Sequence, residues 1–223
     1  MSISSVIKAR QSTRAFLNKS VPKTDIETIL DAARWAPSST NTQPWQVAVL
    51  QGEQKQKLSD VLQACFDNKQ AKHLDYAYSP KGELPEIYQK RRFTCGKALY
   101  KALNIQREDK EKRIAAWRKN YAAFDAPVML LFFIEPNAGV GSYIDYGMFL
   151  QNIMLAASEF GLATCVQASL AEYPDIVREH LGEGYTNQLL VCGMSLGYPD
   201  ESAAVNQYRT EREEVNGFAH WYE

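Results

Sequence analysis

The sequence has few cysteines and histidines, and neither type is spaced for a metal site. None of the four cysteines belongs to a CxxC pair, and the three histidines stand far apart without an HExxH motif. We therefore expect no structural zinc site and buried, reduced thiols. The cysteines are Cys65, Cys95, Cys165 and Cys192, and the histidines are His73, His180 and His220.

Long hydrophobic runs and an excess of charge are also missing. The longest apolar run, residues 126–134, is half of the roughly 18 residues that a membrane span requires. Residues 1–5 lack the apolar core of a signal peptide, so we expect a cytoplasmic protein without a membrane partner. The 25 basic and 26 acidic residues give a formal charge of −1, which provides no general attraction to nucleic acid.

Three common catalytic signatures are absent as well. The sequence contains no GxSxG, no P-loop and no GxGxxG, which excludes a nucleophile elbow and a Rossmann phosphate turn. What remains is the composition of an ordinary globular protein, with 223 residues of which 45% are hydrophobic and 23% charged. This combination favours ligand binding, with the chemistry supplied by a cofactor.

Hydrophobic periodicity predicts alternating helices and strands. One amphipathic helix has Thr24 as its predicted N-cap, with Glu27 completing a capping box, and ends before Pro37. Residues 12–16 are predicted to be extended, and 67–85 to form a long loop containing Tyr76, Tyr78 and Pro80. The other predicted helices are 4–11, 54–65, 86–120, 143–160 and 174–181, and the predicted strands are 45–50, 127–134, 163–167 and 189–196.

Several features suggest contact with a second subunit. Residues 146–158 carry no charge, and a helix that is apolar all round needs partners on every side. The tail ends in Phe218, Trp221 and Tyr222, which need a surface on which to pack. Residues 90–119 hold eleven Lys/Arg against three Asp/Glu, whereas 172–223 hold three against ten. This asymmetry fits either two solvated faces or a subunit contact.

Two polar clusters are candidate binding sites. Arg10, Ser12 and Arg14 alternate, so in an extended segment their side chains point to one side, where paired guanidinium groups suit a phosphate. A surface turn with solvated arginines is the alternative. The segment Ser38-Ser39-Thr40-Asn41 could recognise the edge of a polar heterocycle, or it could be an ordinary polar loop.

Together these clusters resemble the FMN-dependent nitroreductase family. RxSxR near the start is followed by PSSxNxQPW, GLATCVQASL from Gly161, CGMSLGYPD from Cys192 and a closing Asn206…Arg209-Thr-Glu-Arg212. The ordered set is most similar to the nitrobenzoate-reductase-like branch. The resemblance implies an α+β fold over residues 1–223 as a single domain, with a central, mostly antiparallel sheet flanked by helices. It also implies an intertwined homodimer with two FMN molecules at the subunit interface.

The resemblance also assigns roles to particular residues. Arg10, Ser12 and Arg14 would hold the phosphate, ribityl chain and pyrimidine edge of FMN, and Arg212 would close on the phosphate. Thr210 stands where some relatives carry a lysine, so Arg209 is expected to take that contact. Further FMN-binding residues are Ser38, Ser39 and Asn41 from the other subunit, and Gln167, Ala168 and Ser169 beside the flavin N5. Some relatives carry Glu-Gly in place of Ala168-Ser169, which leaves a role there for the backbone alone.

The activity that the resemblance implies needs no catalytic side chain. Hydride would pass from NADH or NADPH through the flavin N5 to a nitroaromatic or quinone-like acceptor in a ping-pong reaction, with Arg14 as electrostatic support. The alternatives are another flavin reaction, either fragmentation of FMN or reductive dehalogenation, and a flavin-binding dimer without catalysis. Planar acceptors could stack on aromatic residues such as Trp45, Tyr88, Phe124 and Tyr143.

Overall fold

A four-stranded antiparallel sheet forms the centre of the protein, whose computed structural model describes residues 2–78 and 82–223. The strands lie in the order β1-β2-β4-β3, so the two central ones, β2 and β4, are the most apolar and are almost entirely buried. This arrangement confirms the predicted α+β fold. The strands are β1 (Gln46–Gln51), β2 (Val128–Ile134), β3 (Ala163–Gln167) and β4 (Leu189–Gly197).

Helices cover both faces of the sheet. On one face, α2 and α6 bury Ile29 and Ile153 against strand residues such as Phe132. On the other, α3 and α7 bury Leu58 and Val177. The α-helices are α1 (Ile3–Ala9), α2 (Lys23–Ala33), α3 (Gly52–Asp67), α4 (Glu86–Ala102), α5 (Lys110–Arg118), α6 (Gly141–Ala157) and α7 (Pro174–Leu181). None in the described part of the chain is both long and apolar enough to cross a membrane.

The start of α2 corrects one prediction. Thr24 is not the N-cap: the helix begins at Lys23, and the carbonyl oxygen of Pro22 accepts hydrogen bonds from the backbone N–H groups of Asp25 and Ile26. Because proline fixes its own φ, here −59°, it sets the entry into the helix without a side-chain cap. Thr24 therefore lies inside the first turn, where its carbonyl oxygen accepts a hydrogen bond from Thr28.

The segment predicted as one helix over 86–120 is divided into α4, α5 and a 3₁₀ segment, Lys119–Asp125. The break follows α4, where Asn104 adopts a left-handed φ of 53°. The N–H of Asn104 then donates to Lys101 and that of Ile105 to Tyr100, which is a Schellman ending. This turn buries Ile105, and asparagine tolerates the left-handed conformation better than most residues.

The charge-free segment 146–158 lies mostly on α6, and this helix is buried on one side only. Tyr146, Phe149 and Ile153 lie in the core, whereas Met148 and Met154 are half-buried. The α-helical part ends at Ala157 and continues as a 3₁₀ turn, Ser158–Phe160. Within a single chain, the outer face of this apolar helix therefore remains partly uncovered.

The segment predicted as a loop after residue 67 is anchored to the sheet. Asp75 Oδ2 lies 2.5 Å from Arg178 Nη1 and accepts the N–H of Leu190 at 2.8 Å. The hydroxyl of Tyr76 donates to the carbonyl of Val191 at 2.8 Å. Pro80, which was predicted to belong to this loop, lies outside the described residues.

The cysteines correct a further expectation. Cys65, Cys165 and Cys192 are buried free thiols, as predicted, but Cys95 on α4 is exposed. Helix α4 has no buried residue, so the thiol at position 95 faces outward with its neighbours. The tail residues Phe218, Trp221 and Tyr222 are also exposed, so the described part of the chain does not cover them.

Candidate functional site

The segment after α1 runs in extended form beside β3. Ser12 forms a bridge with Thr164 of β3, and the N–H of Thr13 donates to the carbonyl of Thr164 at 2.9 Å. Phe16 forms a second bridge with Pro199. These contacts confirm the predicted extended conformation and fix the positions from which Arg10 and Arg14 project.

A cation-lined cavity of about 550 Å³ opens beside this segment. It brings together residues from the beginning and the end of the chain, which the sequence separates by almost two hundred positions. Five of the predicted FMN-binding residues line it, together with the hydroxyl-bearing Tyr208 and Thr210 and the exposed Cys95. The five are Arg10, Ser12, Arg14, Arg209 and Arg212.

The arginines in this cavity contact oxygens that carry no charge. Arg209 donates to the carbonyls of Ala9 (2.6 Å) and Arg10 (3.3 Å), and Arg14 to the hydroxyl of Tyr208 (3.2 Å). Arg212 donates to Thr210 Oγ1 at 2.8 Å. Across residues 2–78 and 82–223, none of Arg10, Arg14, Arg209 and Arg212 pairs with a carboxylate within 4.0 Å.

Burial and mutual repulsion both act on this cluster. Partial burial lowers the pKa of Arg10 below its ordinary value, and the positive charges of Arg212 and Arg209 lower it further. A set of like charges without a carboxylate partner is stabilised when an anion binds among them. Guanidinium groups favour phosphate in particular, because each can donate two parallel hydrogen bonds.

A larger cavity of about 890 Å³ adjoins the first, and Arg14 lines both. Its wall includes the predicted residues Gln167, Ala168 and Ser169, at the end of β3 and in the 3₁₀ turn Ala168–Ala171 that follows. The rest of the wall is largely apolar and aromatic. It includes Tyr100, Leu103, Ile105, Trp117, Phe124 and Val205.

Two polar atoms in the wall of the larger cavity lack partners. Gln167 is 4% exposed and donates to the carbonyl of Asn120 at 2.9 Å, but its Oε1 has no hydrogen bond among the described residues. The hydroxyl of Ser169, which is 8% exposed, is likewise unpaired there. Buried polar groups are nearly always hydrogen-bonded, so an ordered water or a polar ligand that reached these atoms would satisfy them.

The turn that carries Gln167 and Ser169 is fixed against β4 by a close approach. Leu170 packs onto Gly193, where a Cβ atom would come within 2.5 Å of the leucine Cδ1. Only glycine therefore fits at position 193 without displacing the turn. This contact sets the distance between the sheet and the cavity wall.

Phe124 enters the larger cavity from a left-handed turn. Ala123, Phe124 and Asp125 have φ values of 51°, 53° and 62°, a conformation that costs roughly 1–2 kcal/mol for each such residue. Ala123 is fully buried and Phe124 is 7% exposed, so packing maintains the turn. No glycine marks this turn in the sequence, and periodicity alone could not distinguish Phe124 from the other candidate aromatics.

The other candidate aromatic residues have different surroundings. Trp45 stacks on Phe149 with a centroid distance of 4.7 Å and packs against the core. The ring centroids of Tyr143 and Tyr76 are 5.2 Å apart, and Tyr88 is exposed near the start of α4. None of these three lines the larger cavity. Its wall instead includes Tyr100 and Trp117, which no sequence pattern distinguishes from the other aromatic residues.

The predicted residues Ser38, Ser39 and Asn41 lie elsewhere in this chain and line neither cavity. They form a short 3₁₀ turn, Ser39–Asn41, whose first N–H donates to the buried carboxylate of Asp145 at 3.1 Å. Ser38 Oγ accepts the N–H of Gln43 at 2.9 Å, which closes the loop. The structure therefore does not bring these three residues to Arg10 within one subunit.

The structure combines an antiparallel α+β fold with a cationic cavity and a largely apolar one that share Arg14, an arrangement that suits an anionic, aromatic ligand. The chain belongs to the nitroreductase family, whose profile matches residues 7–198. It is 40% identical over 218 residues to a 4-nitrobenzoate reductase of Pseudomonas putida, covering 97% of this chain and 93% of that protein.

Two crystal structures are similar over almost their whole length. One is an FMN- and NADPH-dependent nitroreductase, NfnB, from a Sphigopyxis strain, with 37% identity, full coverage of both chains and a TM-score of 0.94. The other is the FMN-dependent nitroreductase NfnB from Mycobacterium smegmatis in complex with NADPH, with 32% identity and a TM-score of 0.93. That match covers 99% of this chain and 97% of the other.

Proposed function

We propose that this protein is an FMN-dependent oxidoreductase that uses NADPH to reduce nitroaromatic compounds. The observation that carries the proposal is Arg14, which belongs to both a cationic cavity and a largely apolar one. FMN has the matching construction, with a phosphate at one end and a planar ring system at the other. The relatives named above, described as FMN-dependent and as 4-nitrobenzoate reductases, support the same assignment.

The residues present suit this cofactor. Arg10, Arg209 and Arg212 would hold the phosphate, because they form a cationic cluster without a carboxylate partner among the described residues. Gln167, Ala168 and Ser169 line the larger cavity, where their backbone groups would contact the ring. When bound, FMN supplies hydride transfer through its N5, in a ping-pong sequence from NADPH to a nitroaromatic or quinone-like acceptor.

Arg14 has a second role in this proposal. Its guanidinium group donates to Tyr208 and to the carbonyl of Ser12, so its charge is held in a fixed position between the cavities. A positive charge held there would stabilise negative charge that develops on a bound ring. The apolar wall around it excludes water and strengthens that interaction.

The larger cavity would also bind the acceptor. Its volume of about 890 Å³ exceeds what a ring system alone would fill, and Tyr100, Trp117 and Phe124 present aromatic surface. A planar nitroaromatic ring suits such a wall. The preference for NADPH over NADH follows the two similar structures, which are described as NADPH-dependent or bound to NADPH.

The assembly that we propose is a homodimer of single-domain, cytoplasmic subunits. In this arrangement Ser38, Ser39 and Asn41 would approach the ring from the partner subunit, since they line neither cavity of their own chain. The half-buried face of α6, which includes Met148, supports a subunit contact there. The exposed tail residues, such as Trp221, would pack on the partner.

A visible absorption spectrum of the purified protein tests the proposal first. We expect a yellow protein whose flavin band is bleached by NADPH under nitrogen and restored by 4-nitrobenzoate. Titration with NADH in parallel measures the coenzyme preference. A colourless protein that gains no flavin absorbance when mixed with FMN would refute the proposal.

A further inference from the structure

A carboxylate in the wall of the larger cavity is joined to a lysine that reaches the surface. Glu172 directly follows the turn Ala168–Ala171 and lines the cavity. Its Oε2 lies 2.8 Å from Lys72 Nζ and accepts a hydrogen bond from the hydroxyl of Tyr121. Lys72 Nζ also donates to Tyr121 Oη at 2.6 Å, so the three side chains form a closed cluster.

The three side chains of the cluster differ in how far they are exposed to solvent. The Lys72 side chain is 36% exposed and that of Glu172 22% exposed, whereas Tyr121 is fully buried. Burial raises the pKa of Tyr121, and its hydrogen bond to Glu172 raises it further, so this hydroxyl keeps its proton. Of the three side chains, that of Lys72 is the most exposed to solvent, and it contacts both of the others.

One oxygen of the Glu172 carboxylate makes no hydrogen bond to the described residues. Among the described residues, the contacts of Glu172 with Lys72 and Tyr121 both involve Oε2, and no hydrogen bond uses Oε1. Glu172 also follows directly on the segment that carries Gln167 and Ser169, whose polar atoms are unsatisfied. A ligand bound against that segment would therefore lie near this oxygen.

Other titratable groups near Glu172 are less suited to proton delivery. Lys112 lines the same cavity but is held by Asp109 at 3.3 Å. Lys119 lines it too, but as an exposed side chain without a described link to Glu172. Tyr173 packs nearby, and burial and the charge of Glu172 raise its pKa, so it also remains a hydroxyl.

We propose that Lys72 and Glu172 form a proton relay that serves a nitro acceptor in this cavity, an inference that rests on the proposed function. Reduction of Ar–NO₂ to Ar–NO consumes one hydride and one proton and releases water. One N–O bond breaks and two O–H bonds form, while the nitrogen gains two electrons. The hydride is supplied by NADPH through the cofactor. The proton passes from Lys72 through Glu172 to the departing oxygen, and solvent then reprotonates Lys72.

Two conservative variants separate this role from a structural one. Glu172→Gln keeps the size of the side chain but cannot carry a proton. Lys72→Arg keeps the positive charge that pairs with Glu172, but a guanidinium group does not release its proton in a protein. Glu179→Gln, an exposed carboxylate on α7 outside the cavity, is the matched control.

Each protein is loaded with FMN, reduced with NADPH under nitrogen and mixed with 4-nitrobenzoate or with ferricyanide. Ferricyanide takes electrons without needing a proton on a departing oxygen. General acids typically contribute 10²–10⁴-fold, so we expect both relay variants to be oxidised about 100-fold more slowly by 4-nitrobenzoate. Oxidation by ferricyanide and the dissociation constant of FMN, measured by fluorescence, should stay within about twofold of the parent values.

The solvent isotope effect provides a further readout. The parent protein should show a slower nitro reaction in D₂O, and Glu172→Gln should alter that effect while the control does not. Unchanged nitro reduction in both relay variants would overturn the relay, as would an equal loss with both acceptors. A parent protein that binds no FMN, or whose flavin is not reduced by NADPH, would instead refute the proposed function on which the relay depends.

Discussion

The backbone N–H of Arg14 donates a hydrogen bond of 2.9 Å to Oδ1 of Asn206, which is 192 positions further along the chain. The amide nitrogen of Asn206 donates in turn to the carbonyls of Ala15 and Asp200, both at 2.8 Å. Asn206 is 8% exposed. One buried side chain thereby joins the segment that carries Arg10 to the one that carries Arg209.

Asn206→Asp should destabilise the fold and the contact between the two segments that line the cationic cavity. A carboxylate cannot donate to the carbonyls of Ala15 and Asp200, and it would bring negative charge against their oxygens. Loss of satisfied buried hydrogen bonds costs about 1–3 kcal/mol, so we expect the free energy of unfolding in urea to fall by about 2 kcal/mol. Asn187→Asp, at an exposed position, should leave it nearly unchanged. Equal stability of the two variants would contradict this account of Asn206.

Arg10→Ala should weaken FMN binding at least tenfold, or by about 1.5 kcal/mol, because a charge-assisted contact to phosphate is lost. Fluorescence titration of the protein without cofactor measures the dissociation constant. Riboflavin lacks the phosphate, so parent and variant should bind it with similar affinity. An equal loss for the two ligands would show that Arg10 does not contact the phosphate.

Arg14→Gln should lower the reduction potential of the bound flavin. The positive charge between the cavities stabilises the reduced ring more than the oxidised one, so its removal disfavours reduction. We expect a decrease of about 30 mV, which for a two-electron couple corresponds to about 1.4 kcal/mol. Anaerobic titration against reference dyes measures it. Arg34→Gln, directly after α2 and in the lining of neither cavity, should show the parent potential. An unchanged value in Arg14→Gln would exclude this role.

Met148→Glu should disrupt the proposed dimer without unfolding the subunit. Met148 is half-buried at the edge of the core, so a carboxylate there keeps some access to water in a single chain but loses it at a subunit contact. Sedimentation should give a folded monomer that has lost FMN. Ile153→Glu differs because Ile153 is fully buried in the core, and that variant should misfold.

Val61→Glu, on the exposed part of α3, is the matched control and should remain a yellow dimer. A folded Met148→Glu monomer that still holds stoichiometric FMN would refute the shared site. A parent protein that sediments as a monomer would refute the dimer itself.

The sheet and the cationic cavity followed from local patterns in the sequence. The apolar runs that became β2 and β4 are long enough to identify buried strands, and the alternation of Arg10, Ser12 and Arg14 correctly placed their side chains at one cavity. The contribution of Arg209 and Arg212 came from the family resemblance, because nothing local in the sequence relates them to Arg10.

The features that could not be predicted depend on tertiary packing. Asn104 ends α4 without a glycine or proline, and the left-handed turn at Ala123 and Phe124 exists because the core holds it. Thr24 has the residue type of an N-cap, yet Pro22 already sets the start of the helix. No local pattern marks Glu172, because its partner Lys72 is one hundred positions away in sequence, in a segment without periodicity.

The order in which residues are synthesised has a consequence for when the cationic cavity can form. Arg10 and Arg14 are made before Asn206, Arg209 and Arg212, which follow them by almost two hundred positions. The cationic cavity therefore lacks Tyr208, Arg209 and Arg212 until that part of the chain has been made. An anionic ligand that needs these residues can bind only after they have been synthesised, so it cannot template the folding of the segments that precede them.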